Sequence, residues 1–258
     1  MIPILETRGL TKTFGAVTAA SDLSVRVEED TVVGLIGGNG AGKTTFINLV
    51  TGYLKPTSGT IHYQGAEITA LPPRQVTRRG ICRSFQIPQV FDSLTTWENL
   101  LVGLGVVSLK RSAFVGSALG DRAPEEAAGE MVERFRLGEW RDARASVLPE
   151  GVRKLLDIAM ALAVKPRVLL LDEPTSGVSA EEKFAIMDLV LGAIRADRVT
   201  VLFVEHDMDI VRRYAQRILA FYDGRIIADG APAEVLANPE VRRYVVGEAA
   251  PPAPGDPC

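Results

Sequence analysis

Gly37-Gly38-Asn39-Gly40-Ala41-Gly42-Lys43-Thr44 has the form G-x-x-x-x-G-K-[ST]. Glycines let consecutive backbone N–H groups turn inward around an anion. A helix opening at this point adds roughly half a positive charge at its N-terminus. Lys43 would set a full charge against the outer phosphates of a bound ligand, and Thr44 would offer a hydroxyl to Mg²⁺. The bland reading is a glycine-rich turn that binds nothing. The context favours the phosphate reading: an apolar run, Thr31 to Ile36, precedes the loop, and a helical pattern from about Lys43 to Thr51 follows it.

A second cluster of chemistry-bearing residues lies further on. Val168-Leu169-Leu170-Leu171-Asp172-Glu173 is an apolar run ending in two carboxylates. Successive strand residues point to opposite faces, but at a strand end the two can splay. Asp172 would then serve Mg²⁺ through a water, and Glu173 would face an attacking water as general base. Burying two acids together is costly without a cation, which favours a nearby metal. The bland reading is a helix N-terminal acid pair held by the helix dipole, which the phosphate-type loop elsewhere in the chain disfavours. His206 follows the apolar run Val199 to Val204 and Glu205, and so emerges at the carboxyl end of a buried strand, where open α/β sheets bind ligands. It could hydrogen-bond a terminal phosphate or be a satisfied loop histidine. Gln86 likewise follows the predicted strand Ile81 to Phe85, and its amide reads either as a ligand for Mg²⁺ or a positioner of water, or as a surface glutamine.

These residues need a scaffold to position them. Leu23 to Val27 alternates with period two, as a half-exposed strand does. Thr60 to Tyr63 and Ile81 to Phe85 read as further strands. Residues from about 95 to 146 are rich in Ala, Glu, Arg, Leu and Gly with helical spacing at Met131, Val132 and Phe135, and read as a mostly helical insert. A helix over Arg153 to Val164, a strand over Arg167 to Leu171, a helix over Ala180 to Ile194 and a strand over Val199 to Val204 follow. Arg217 to Phe221 and Arg225 to Ala228 flank Asp223-Gly224, a hairpin signal. This alternation predicts a layered α/β core with right-handed crossovers, and the early alternating strands predict a small antiparallel β region beside it.

Composition narrows the class. The chain has 258 residues, 47% hydrophobic and 24% charged, in the globular range. It has 29 basic and 32 acidic side chains and a formal net charge of −3, so no strong positive field is available to hold a nucleic-acid backbone. Two cysteines (Cys82, Cys258) and two histidines (His62, His206) provide neither a disulfide framework nor a His/Cys zinc site, and a reducing compartment is expected. The first residues lack a basic segment followed by an apolar core, so no secretory leader is expected. The longest low-polarity run, Leu100 to Leu109, falls short of the ~20 residues a membrane span requires. Cys258 is not in a prenylation context.

In that order, these motifs resemble the nucleotide-binding subunit of an ATP-binding cassette (ABC) transporter over roughly residues 4 to 246. The phosphate loop is Gly37 to Thr44, the Q-loop likeness is Arg83-Ser84-Phe85-Gln86, and the Walker B-like strand is Val168 to Asp172 with Glu173 next. Ser176-Gly177-Val178-Ser179 stands at the D-loop position, His206 at the switch histidine, and Phe14 matches the aromatic that stacks on adenine. Leu49 to Gly59, Phe85 to Phe91, Glu205 to Asp209 and Asp229 to Pro232 look like the ATPases of branched-chain amino-acid importers.

The resemblance implies a P-loop NTPase mixed sheet flanked by helices. An antiparallel β subdomain and a helical subdomain over about 87–164 belong to it, with a disordered tail over 247–258. It implies ATP hydrolysis by Glu173, Lys43, His206 and Gln86. Nucleotide contacts fall to Phe14, Gly37, Gly38, Asn39, Gly40, Ala41, Gly42, Lys43, Thr44, Thr45 and Gly151, and Mg²⁺ to Thr44, Gln86 and Asp172. The implied partners are a second ATPase subunit, membrane permease subunits docked near residues 87–101 and, indirectly, a periplasmic solute-binding protein. The implied place is the cytoplasmic face of the bacterial inner membrane.

One motif departs from the family. Where it has Leu-Ser-x-Gly-Gln, this chain has Leu148-Pro149-Glu150-Gly151-Val152. Pro149 has neither a hydroxyl nor a backbone N–H for the partner's γ-phosphate. The departure favours an asymmetric heterodimer over a homodimer. Rival readings are a non-transport ABC ATPase, which usually carries tandem cassettes or long coiled-coil inserts, and a P-loop kinase or non-hydrolysing module, against which Glu173 and His206 argue.

Overall fold

The computed structural model describes residues 2–84, 88–111 and 124–247. In chain order the strands are β1 Leu5–Phe14, β2 Val17–Val27, β3 Val32–Ile36, β4 Ser58–Tyr63, β5 Ala66–Glu67, β6 Ile81–Arg83, β7 Val168–Asp172, β8 Thr200–Val204, β9 Arg217–Tyr222 and β10 Arg225–Gly230. The helices are α1 Lys43–Val50, α2 Pro73–Arg79, α3 Thr96–Arg111, α4 Pro124–Arg134, α5 Glu150–Ala163, α6 Ala180–Ala196, α7 Met208–Tyr214 and α8 Pro232–Ala237. The described residues fall into two compact units, one drawn from 2–27, 32–70 and 204–247, the other from 28–31, 71–84, 88–111 and 124–203. Among the described residues no helix is long and apolar enough to cross a membrane.

In the first unit, β2, β1, β4 and β5 form an antiparallel sheet in that order. β3 pairs parallel with β9, and β9 antiparallel with β10, so this second set of strands is mixed. Every residue of β3 is buried, as expected of a parallel strand covered on both faces. Phe46 of α1 packs against Phe221 of β9, ring centroids 5.7 Å apart. The Asp223-Gly224 signal is a two-residue hairpin turn, with Tyr222 opposite Arg225 and φ of +47° and +72° at the two turn residues.

In the second unit, β6 pairs parallel with β7. β7 and β8 are continuous buried strands, and α5 and α6 pack against each other and bury Leu156, Ile158, Leu162, Met187, Val190 and Ile194. Two helices, α3 and α4, and two short 3₁₀ turns at Gly138–Trp140 and Ala145–Val147 account for the described part of the helical insert. Burial of Cys82 pushes its thiol up to about 12.

The layered α/β core and the antiparallel region match the sequence reading. Elements it lacks are β1, β5, α2, α7 and α8. β1 breaks period-two alternation because its register shifts between Thr7 and Leu10, around Gly9 at φ +59°. α2 is seven residues long and buries only Val76, so it leaves almost no apolar signature. α5 starts at Glu150 rather than Arg153, since Pro149 takes the N-cap with extended backbone. The predicted end of a strand at Phe85, and the predicted tail beyond Gly247, lie outside the described residues.

Glu6 on β1 sits between Arg8 (Nη2–Oε2 2.7 Å) and Arg26 (Nε–Oε1 2.8 Å). The hydrogen bond from Arg8, then that from Arg26, holds its carboxyl down at about 2, against an ordinary value of 4.5. A depressed carboxylate stabilises the fold above its unfolded pKa and loses that contribution as pH falls toward its folded pKa. The denaturant midpoint of wild type should therefore exceed that of Glu6→Gln at pH 7. The gap should shrink between pH 4.5 and pH 2, and added salt should narrow it because both arginines are exposed. A gap independent of pH would contradict the assignment.

Candidate functional site

The phosphate-type loop belongs to the first unit, between β3 and α1. Gly42 is the N-cap of α1, at φ +104°. A Cβ on it would lie 2.8 Å from Ala19 O of β2, so no side chain fits. The hairpin turn closes on the same loop: Gly224 N–H donates to Ala41 O (3.1 Å), and Ser21 N–H donates to Gly224 O (2.8 Å). Lys43 is only 5% exposed. Its Nζ donates to Gly37 O (2.6 Å) and Gly38 O (3.0 Å), which folds the ammonium back over its own loop. No acidic residue stands in the first turn of α1, so the positive end of the helix is uncompensated from within. Positions Gly38 and Gly40 have nothing within 4 Å of where a Cβ would lie. A buried cation, an acid-free helix start and an open loop fit an anion.

The same unit carries Phe14 and His206. Phe14, at the end of β1, is 49% exposed, with Lys12 Nζ 5.0 Å from its ring centroid. Thr44 is exposed and Thr45 half-buried at the start of α1. His206 is exposed just beyond β8; its backbone N–H lies 3.3 Å from Oε2 of Glu205, a buried acid that the sequence reading passed over. Asp207 caps α7 by accepting from Asp209 N–H and Ile210 N–H.

Asp172, Glu173 and Gly151 belong to the second unit. Asp172 Oδ2 accepts from Arg83 Nη2 at 2.6 Å, and the two side chains are 7% and 8% exposed. The buried acid pair calls for a nearby cation, and beside Asp172 that cation is Arg83 rather than a metal. Glu173 holds φ +50°, unusual for a residue with a side chain, at a cost of order 1–3 kcal/mol. Its carbonyl accepts from Ser176 N–H (3.1 Å) and from Lys154 Nζ (3.0 Å), and Lys154 Nζ also donates to Ser176 Oγ (2.7 Å). At the start of α6 the Ser179 hydroxyl accepts from Glu182 N–H (3.4 Å) and donates to Glu182 Oε2 (2.7 Å).

Gly151 stands in the first turn of α5. A Cβ there would come within 3.1 Å of Ile186 Cδ1 and 3.4 Å of Val178 Cγ1, so α5 runs close to these two side chains at this position. Pro149, Glu150, Gly151 and Val152 line one side of a cavity of about 390 Å³. Pro149 offers no side-chain cap to α5. Gln86 lies outside the described residues.

Sequence reasoning missed Lys154, Asp157 and the role of Arg83. The signal for the first two was present: a lysine and an aspartate three apart on the apolar face of an amphipathic helix, where charged groups are buried only when paired. Asp157 accepts from Gln89 N–H (3.0 Å). Arg83 gave no separate signal.

A metal ion has few protein donors here. Among the described residues no group of three or more His, Cys, Asp or Glu side chains could hold one. Thr44 in the first unit and Asp172 in the second are each hard oxygen donors of the kind Mg²⁺ takes when nucleotide phosphates complete its shell.

The family model for ABC transporters matches residues 20–176. The chain belongs to the ABC transporter family. The high-affinity branched-chain amino acid transport ATP-binding protein BraF of Pseudomonas aeruginosa is 38% identical over 255 residues, covering 96% of this chain and 99% of that protein. LivG of Salmonella typhimurium, described in the same terms, is 37% identical over 258 residues, with 96% and 99% covered. Among solved structures, an ATP-binding cassette of an ABC transporter in its ADP conformation is similar at TM-score 0.81 and 32% identity, covering 96% of this chain and 100% of that one. The α/β fold with its mixed sheet is that of an ABC ATPase, and the chain is an ATPase of this family.

The ion pair inside this ABC ATPase makes a stability prediction. Removing one partner of a buried pair strands the other charge, at about 3–5 kcal/mol. Arg83→Met should lower the unfolding free energy by about 3 kcal/mol in urea denaturation, and Arg83→Met with Asp172→Asn should recover a large part of it. A loss below about 1 kcal/mol for the single variant would show that the pair is not buried as described.

Proposed function

We propose that this chain is the ATP-hydrolysing, nucleotide-binding subunit of an ABC importer that takes up branched-chain amino acids or a related small organic solute. The carrying observation is Lys43 folded over the carbonyls of Gly37 and Gly38 at an acid-free helix start. The names of BraF and LivG supply the transport class. On this reading residues 4–246 act as one ABC ATPase domain, with 87–164 as its helical subdomain.

The reaction is in-line attack of water on the γ-phosphoryl group, with little covalent work for the protein and most of the effect in positioning and charge. The backbone of Gly37 to Gly42, the helix start and Lys43 hold the phosphates; Thr45 sits next along the same turn. Phe14 supplies an exposed aromatic face for adenine. Glu173 orients the water and takes its proton. His206 donates to the γ-phosphate, where negative charge develops. Mg²⁺ would be held by Thr44, Gln86 and Asp172 and would neutralise phosphate charge. Gly151 reads the nucleotide of a partner subunit.

The partners follow from the same reading: a second ATPase subunit, membrane permeases meeting residues 87–101 and, indirectly, a periplasmic solute-binding protein, with the chain on the cytoplasmic face of the inner membrane. Nucleic acid is not a partner for a chain of net charge −3. The heterodimer is favoured over the homodimer because Pro149 carries no hydroxyl, and the loss of one transition-state donor costs ~2.7–4 kcal/mol.

Equilibrium binding and steady-state ATPase assays test this. Lys43→Ala should weaken nucleotide binding at least about tenfold, since one charge-assisted contact is lost. Glu173→Gln should keep binding and lower turnover about 100-fold or more. The purified chain alone should hydrolyse ATP slowly and accelerate with its partner ATPase subunit. Unchanged affinity in Lys43→Ala defeats the site; full activity of the chain alone defeats the heterodimer.

A further inference from the structure

Lys154 is a long cation in the first turns of α5, and it is 4% exposed. Burying an ammonium is unfavourable unless its donors are matched. The acceptors here are the Glu173 carbonyl and the Ser176 hydroxyl, the two ends of the turn that follows β7. Ser176 N–H closes that turn on the same carbonyl. The peptide unit of Glu173 is thus gripped from two directions, and this is the residue whose backbone sits at φ +50°. A side chain leaving such a backbone points differently from one on a relaxed strand end, so whatever fixes the peptide fixes where the carboxylate aims.

The root of Lys154 is fixed as well. Its neighbour Arg153 donates to Asp92 Oδ1 and Ala145 O, both at 2.7 Å. Asp157, one turn on, holds the Gln89 amide. Gly151 lies one turn before Lys154 on the same helix.

We infer that Lys154 is a positioning residue for hydrolysis: its ammonium locks the Glu173–Ser176 turn so that the Glu173 carboxylate meets the attacking water. The inference rests on the proposed ATPase reading, in which Glu173 is the base. Lys154 touches neither nucleotide nor water in this scheme, and it acts on kcat alone.

The test uses the full chain with its partner ATPase subunit. Misplacing a catalytic group by about 1 Å can cost ~100-fold, so Lys154→Met should lower kcat about tenfold or more. KM and the affinity for a fluorescent ATP analogue should stay within about twofold, because the phosphate loop is untouched. Lys154→Arg keeps a cationic donor and should hold kcat within about threefold of wild type. In a Glu173→Gln background, Lys154→Met should cause no further loss of turnover, since it acts through the group already removed. Ser176→Ala frees one anchor of the ammonium and should lower kcat by a smaller factor at unchanged affinity; it decides the matter if Lys154→Met does not fold. Wild-type kcat in Lys154→Met or Ser176→Ala overturns the inference, as does affinity falling in step with kcat, or an arginine variant as slow as the methionine one. If the wild-type complex itself fails to hydrolyse ATP, the ATPase reading fails and not this assignment.

Discussion

The helix Lys43–Val50 begins with no acid in its first turn, and the loop before it cannot carry a side chain at Gly42, where Ala19 of β2 stands too close. Lys43 is folded over that loop instead of reaching solvent. Backbone dipoles and one buried ammonium therefore add at a single place, and negative charge brought there is stabilised twice. The neighbouring strands serve this arrangement. β3 delivers the chain to the loop, β2 limits its width, and the β9–β10 turn closes against Ala41 through Gly224.

The second unit handles charge differently. Its carboxylates are not left to find a counter-ion. Arg83 takes Asp172, while Lys154 takes the backbone of Glu173 and leaves that side chain half-exposed. Two cations placed by β6 and α5 thus act on two adjacent acids, on one through its carboxylate and on the other through its backbone carbonyl. That division suits a pair in which one member assists phosphate charge and the other moves a proton.

Much of this was legible in sequence because local chemistry dictates it. Gly-Lys-Thr after an apolar run, Asp-Glu ending another, and Asp-Gly between two alternating segments each have few structural solutions. What was not legible depends on partners far along the chain. β1 hides behind the register shifts around Gly9, since a bulge destroys the period that marks a strand. Arg83 and Asp172 are 89 residues apart, and nothing at either position announces the other. Lys154 stood in plain view as a charge on a buried helix face, but its target is a carbonyl, which every residue has. The left-handed backbone of Glu173 left no mark in the sequence, since neither glycine nor asparagine occupies that position.

The account stands on phosphate groups being what this loop holds. Calorimetric titration of the wild-type chain with ATP, ADP, AMP and adenosine tests that most directly. ATP and ADP should bind with similar affinity, and AMP and adenosine at least about 100-fold more weakly, if Lys43 and the helix start hold the β- and γ-phosphates. Equal affinity across the four ligands would mean that the base or sugar, not the phosphates, carries binding, and the account would be wrong.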